Sequence, residues 1–381
     1  MKKLLLASAV SAAFAAPGLV YAQAKPAAPA VPTLDKVLEA SGITVSGYID
    51  AGYSYMDKDA SQFTTRVFDQ ENNSFALRQF GLTVAKQPKE GFGGLVNITV
   101  GRDAQMLHSF PESSGPNSGS SMFDITQGYA QYATGPLTVI AGKYTTMHGT
   151  EVIASTGNTN ISRSILFGAV PFTHTGVRAT WALSDSLSLM GGVNNGWDQL
   201  TDSNRLKTLE LGVTWAPIKP LNIVVSGMQG KETVPQSTPG NPEGSRTSLN
   251  AVASYTIIDP LSVGLELLGV QQDNAPVAGG GTGKAKYTGE ALYVTYMFAP
   301  KLRGVLRVEN FDDKDGFRYG TANRKYKEFT LTASYLASDS FEGRVELRRD
   351  TADKDAFFKY GSTTADSKSM ASLALQALYK F

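Results

Sequence analysis

The feature that most constrains this chain is a period-two alternation of apolar and polar residues, repeated from Ile43 to the last residue. The final segment, Ser369 to Phe381, shows it plainly. Phe381, Tyr379, Ala377, Leu375, Leu373 and Ala371 share one face, and Lys380, Leu378, Gln376, Ala374 and Ser372 share the other. Strand side chains alternate between faces, so this is a strand with one greasy face. Chain ends fray in water unless something ties them down. A strand that closes a transmembrane barrel is tied along both edges and shows its greasy face to lipid. Taken alone, the segment suits a half-buried strand of a soluble sandwich equally well. The rest of the chain decides between them.

The same alternation predicts strands at 43–55, 74–85, 93–101, 124–132, 137–145, 175–182, 187–195, 207–216, 221–229, 246–257, 261–271, 287–298, 302–311, 326–336, 341–349 and 369–381. Their number, sixteen, is even, as bacterial outer-membrane barrels require. Most are long enough for a tilted membrane crossing, which takes ~9–11 residues, whereas globular strands average ~5–6. The connections alternate in length. Short ones lie at 87–91, 134–136, 183–186, 217–220, 259–260, 300–301 and 337–340. Long polar ones lie at 56–73, 102–123, 146–174, 196–206, 230–245, 272–286, 312–325 and 350–368. Short turns at one rim and long loops at the other are the pattern of an outer-membrane barrel, with the turns in the periplasm.

Strands running toward the short turns finish on aromatics: Tyr132, Trp181, Trp215, Tyr255, Tyr296 with Phe298, Tyr335, and Tyr379 with Phe381. A ring of amphipathic side chains at one level belongs at a lipid–water boundary. From Trp215 onward the spacing is roughly 40 residues, which is also a propeller period, but a propeller blade needs four short strands where each period here holds two long ones.

The two faces of the strands differ in kind. Sets such as Leu209/Leu211/Val213/Trp215, Leu292/Val294/Tyr296/Phe298 and Phe329/Leu331/Ala333/Tyr335 are expected to face outward. The inward face is expected to carry Arg78, Arg178, Glu266, Arg303, Arg307, Glu309, Glu342, Arg344, Glu346 and Arg348, with Asp50, Glu210, Glu290 and Glu328 beside them. In lipid each charge would cost ~2–4 kcal/mol at mid-depth. A water-filled lumen accommodates them, so these residues are expected to line a pore. The solvated face of a soluble sandwich would explain the alternation alone.

Composition narrows the class further. The formal charge is +1, falling to −1 without Lys2 and Lys3, and gives no reason to expect a nucleic-acid partner. The absence of Cys excludes disulfides and thiolate metal sites. Lys2-Lys3, the apolar run Leu4 to Val20 and the small residues around Ala22 and Ala24 read as a signal peptide over residues 1–24. A Pro/Ala-rich periplasmic lead with a short helix from Leu34 to Ala40 is expected over 25–42, and a barrel over 43–381. No later run reaches the ~18 apolar residues of a transmembrane helix.

The 146–174 loop mixes Val152, Ile161, Ile165, Leu166, Phe167 and Phe172 with His148, Glu151, Asn160, Arg163 and His174. A loop in open water needs few apolar residues, so this one is expected to fold into the lumen as a constriction; a cap packed on the rim is the alternative. The histidines at 108, 148 and 174 lack ligand-like spacing, so no metal or other cofactor is expected. GGGTGK at 279–284 fails as a phosphate loop, since Ala278 and Ala285 replace its first Gly and its Ser/Thr. FDDKDG at 311–316 lacks the first ligand and closing Glu of a calcium loop. There is no nucleophile elbow, so no catalytic residues are expected.

The stretches GYIDAGYSY (47–55), RVFDQENNSFALRQFGLTVAK (66–86) and AGKYTTMHGTEVIASTGNTNISRSILFGAVPFTHTGVRATWALSDSLSLMGGVNNGWD (141–198) resemble the OmpL-like β-barrel porin family of Gram-negative bacteria. The likeness is specific in the first half of the chain and one of strand and turn style in the second. It implies a non-enzymatic outer-membrane channel for small hydrophilic solutes, in contact with lipid and lipopolysaccharide. The fold expected is all-β, an antiparallel up-and-down transmembrane barrel. A non-conducting anchor or adhesin and a barrel hydrolase stay open at this point, as do a monomer and a homotrimer.

Overall fold

The computed structural model describes residues 33–59, 65–110, 121–233, 243–320 and 323–381. The expected signal peptide and the start of the Pro/Ala-rich lead lie outside the described residues. The chain divides into two units, Met1–Ser41 and Gly42–Phe381. In the first, α1 spans Leu34–Ser41. Leu34, Val37 and Leu38 recur at helical spacing, and the Ser41 hydroxyl donates back to the Leu38 carbonyl at 2.8 Å.

The second unit is a closed antiparallel barrel of sixteen strands in sequence order. They are β1 (Thr44–Met56), β2 (Ser74–Lys86), β3 (Gly91–Val100), β4 (Phe123–Thr134), β5 (Leu137–Thr145), β6 (Thr173–Ser184), β7 (Leu187–Asn194) and β8 (Thr208–Ile218). The second half holds β9 (Leu221–Thr233), β10 (Glu243–Ile258), β11 (Leu261–Pro276), β12 (Thr282–Ala299), β13 (Leu302–Asp313), β14 (Arg324–Ser338), β15 (Phe341–Ala352) and β16 (Ser369–Lys380). A two-turn-per-period hairpin ladder leaves one free edge at each end, and here β1 pairs with β16 through Ala51↔Ala377 and Tyr53↔Leu375. The terminal residue completes the seam: Phe381 N donates to the Gly47 carbonyl and Gly47 N to the Phe381 carbonyl, both at 2.9 Å. A Cβ on Gly47 would lie 2.5 Å from the Phe381 ring, so only glycine lets that ring lie flat on β1.

The outward face is apolar. Leu211, Leu331 and Leu347 stand exposed on it, as do all the aromatics that end the strands at the short-turn rim, from Tyr132 to Phe381. In water such a surface would be untenable; in hydrocarbon it is the required one. Among the described residues no helix is long and apolar enough to cross a membrane.

Three sequence expectations need correction. The long connection at 272–286 is mostly strand: β11 and β12 stay paired through Gln271↔Lys286 and Ala275↔Gly283. The tip is only 277–281, where Gly279, Gly280 and Gly281 supply the positive φ. Ala and Gly in this stretch looked like loop composition, but their neighbours Val270, Ala275, Ala285 and Tyr287 are buried inside the barrel wall. Glu290 faces outward, because it shares parity with Leu292, and it accepts from the Asn310 side chain at 3.0 Å. His174 belongs to β6, so the loop proper is 146–172. The 102–123 connection also contains a single helical turn, α2 (Ala104–Leu107).

Candidate functional site

The 146–172 loop enters the barrel. Peptide groups folded inside a barrel have no strand ladder to pair with, and each one left unpaired costs ~1–3 kcal/mol. The inward charges of the wall meet this need. Glu309 accepts from Ile165 N and Leu166 N, both at 3.1 Å. Glu346 accepts from Ile161 N at 2.6 Å and Ser162 N at 2.9 Å. Glu266 accepts from Thr150 N at 2.9 Å. The loop's carbonyls are met by arginines: Arg344 donates to Asn160 O at 3.2 Å and Arg348 to Arg163 O at 2.5 Å. Asn160 adds a side-chain bond to Thr332 at 2.7 Å.

Arg307 sits at the centre of this set and is fully buried. It donates to Glu151 on the loop at 2.6 Å, to the Ser162 carbonyl at 2.8 Å and to Glu328 on β14 at 3.2 Å. Glu309 lies 3.4 Å from it. Arg348 is shared between Asp350 at 2.6 Å and Glu328 at 3.7 Å. Glu151 in turn accepts from Ser164 N at 2.6 Å, which folds the loop on itself. Arg163 clips the loop from within, donating to the carbonyls of Val152, Ile153 and Ile161. Ile165, Leu166, Ala169 and Val170 then pack against Leu268, Val270, Tyr287 and Phe311 in an apolar cluster inside the long-loop half of the barrel.

The loop also crosses to the opposite wall. Ser155 donates from its hydroxyl to Asp50 on β1 at 2.6 Å. Gln79 on β2 uses its whole amide: it accepts from Tyr48 and Ser155 N and donates to Asp103 and the Ile153 carbonyl. Burial pushes the Asp103 carboxyl, beside α2, up to about 8. Near the loop's start the His148 ring bridges Ser226 at 2.7 Å and Ser248 at 2.9 Å. Burial lowers His148 to about 3, so at neutral pH one ring nitrogen donates and the other accepts. His174 contacts Thr146 at 3.2 Å, and His108 lies apart beside Asp124. Among the described residues no cluster of three or more His, Asp or Glu side chains is placed to hold a metal.

The expected pore charges therefore point inward, yet Glu266, Arg307, Glu309, Arg344, Glu346 and Arg348 end on the loop and are buried there. Their reading as water-facing groups is corrected: the loop's own peptides are their partners. Arg78 is buried against Ser54 at 2.6 Å. Arg178 stays partly exposed, with Glu210 at 2.8 Å and the Tyr144 ring 4.2 Å beneath its guanidinium. Arg303 is likewise partly exposed and paired with Glu342. Sequence reasoning missed Gln79, Arg66 and Asn250, which accepts from Gly149 N of the loop at 3.0 Å. Arg66 joins Asp69 at 2.5 Å to Asp350 at 2.8 Å and fastens the first long loop into the barrel. Nothing in the local sequence around Arg66 distinguishes it from an arginine of a solvated loop.

Residues 42–381 match the family described as "Putative beta-barrel porin-2, OmpL-like". The chain belongs to this family. It is an outer-membrane β-barrel porin. No curated protein matches it. Among solved structures, the outer-membrane channel DcaP of Acinetobacter baumannii superposes with a TM-score of 0.61 at 16% identity, over 89% of this chain and 97% of that one. The anion-selective porin from Comamonas acidovorans gives 0.57 at 12%, over 89% and 99%. The trimer form of OmpT of Vibrio cholerae gives 0.58 at 12%, over 89% and 99%. At these identities the likeness is one of fold.

Proposed function

We propose that this porin passes small hydrophilic solutes and ions by passive diffusion beside the 146–172 loop, along the wall that the loop leaves uncovered. Beyond the Thr146–His174 contact where it joins β6, the loop's hydrogen bonds reach β1, β2 and β9 to β15. On β4, β6 and β8 the inward side chains Tyr129, Arg178, Thr180 and Thr214 remain partly exposed. This uneven coverage carries the reading. Most lumen charges are paired with the opposite sign, so selectivity is weak, and Arg178 is the charge best placed to tune it. Planar-bilayer recording tests this. Arg178→Glu should move the reversal potential toward cations, most at low salt where screening is least. An unmoved potential would put the path elsewhere. Deleting Thr150 to Ser164 should raise the unitary conductance; a deletion that folds and conducts like the parent makes the loop irrelevant to flow.

The close apolar packing of Ile165 and Leu166 favours a second reading, a barrel held shut. The same recordings separate the two, because a shut barrel gives no steps until the loop is removed.

The N-terminal basic start and apolar run support export through a leader ending after Ala22 or Ala24. Loop-length alternation supports an orientation with Gly280 and Lys314 outside and Lys219 and Asp339 in the periplasm. Single cysteines at these sites should label from outside intact cells at 280 and 314 alone; labelling at 219 as strong as at 280 overturns the topology. The small outward residues Gly94, Ala130 and Ala141 leave a shallow depression across β3 to β5 that supports contact with a second copy in a homotrimer.

A further inference from the structure

We propose that the interior holds a binding site for a small neutral polyhydroxylated solute, a single sugar ring or short polyol, between the short-turn face of the loop and β10, β11 and β12. The site rests on the reading above in that the solute reaches it through the lumen. A cavity of about 230 Å³ lies there. Ser254, Ser262 and Thr295 line it from the wall, and Thr159 and Asn160 from the loop. Hydroxyls and amides both donate and accept, and a polyol presents the same pair of roles at every carbon. No hydrogen bond to another described residue occupies the hydroxyls of Thr159, Ser254, Ser262 or Thr295.

Charge and size narrow the ligand class. Glu151 is the one acidic lining residue, and its oxygens are taken by Arg307 and Ser164 N, both at 2.6 Å. A charged solute would shed water there without gaining a free counter-charge, which is unfavourable. A neutral one meets no such penalty. The volume falls below the ~300 Å³ at which pockets for drug-sized ligands begin, which limits the occupant to about one ring.

Glucose is the probe. Binding to the detergent-solubilised barrel is measured by saturation-transfer NMR and calorimetry, and channel block is measured in bilayers with glucose on the short-turn side. Saturable glucose binding is expected, with no competition from succinate or choline. Ser262→Leu and Thr295→Val should remove binding, each by taking a hydroxyl from the lining and filling its space. Heat-modifiable migration confirms that each variant is folded. Absence of saturable binding, equal competition by succinate, or wild-type affinity in both cavity variants overturns the site. The solution measurement needs no conduction: a barrel that binds glucose with these sensitivities but passes no current keeps the site and overturns the diffusion reading.

Discussion

Arg307→Met is expected to free the 146–172 loop and raise the conductance of the channel while destabilising the barrel. The side chain is buried with Glu151, Glu328 and Glu309 around it, and it also holds the Ser162 carbonyl. Removing one member of a buried ion pair leaves the others charged and without compensation, a loss of about 3–5 kcal/mol. The carboxylates then repel one another, and the cheapest relief is for Glu151 to leave with the loop. Denaturant unfolding in detergent should show the stability loss, and bilayer recording should show larger, noisier steps. Adding Glu151→Gln should recover part of the stability, because it removes one of the stranded charges. An Arg307→Met barrel that unfolds and conducts like the parent would mean that this network does not hold the loop.

Removing Phe381 is expected to impair barrel assembly severely. The residue contributes two backbone hydrogen bonds to Gly47 across the β1–β16 seam. Its ring lies 6.3 Å from Phe80 and 6.2 Å from Tyr379, on the outward aromatic band. Without it the seam loses its last rung at the rim where an aromatic prefers to sit. Phe381→Asp keeps the backbone bonds but sets a charge in that band, so it should be milder than deletion, and Phe381→Tyr should be milder still. The readout is the fraction of heat-modifiable barrel in the outer-membrane fraction. Equal yields for the deletion and the parent would show that closure does not depend on the terminal residue.

The architecture was legible because a membrane barrel writes itself into sequence locally. A strand's two faces meet different solvents, so parity alone separates Leu331 from Thr330 and Tyr379 from Lys380. Turn lengths then give the alternation of rims, and the strand count gives closure. Parity failed where it was misapplied, at Glu290, and composition misled at 272–286, where small residues serve a buried wall rather than a loop. The distinctive content of the 146–172 loop was also visible, since so many apolar residues in one connection call for a dry partner.

What the inward charges do was decided only by tertiary structure. Alternation says that Glu309 and Arg348 point inward, but it does not say what lies opposite. Their partners are peptide groups over a hundred residues away in sequence, at Ile165, Leu166 and Arg163, and no local pattern encodes that distance. The same holds for Gln79 and Arg66, each an ordinary residue in an ordinary strand or loop until the fold places its partners beside it. The chain's local chemistry determined a closed lipid-facing wall; the requirement that every buried peptide of the inserted loop find a partner determined which charges were left to meet a solute.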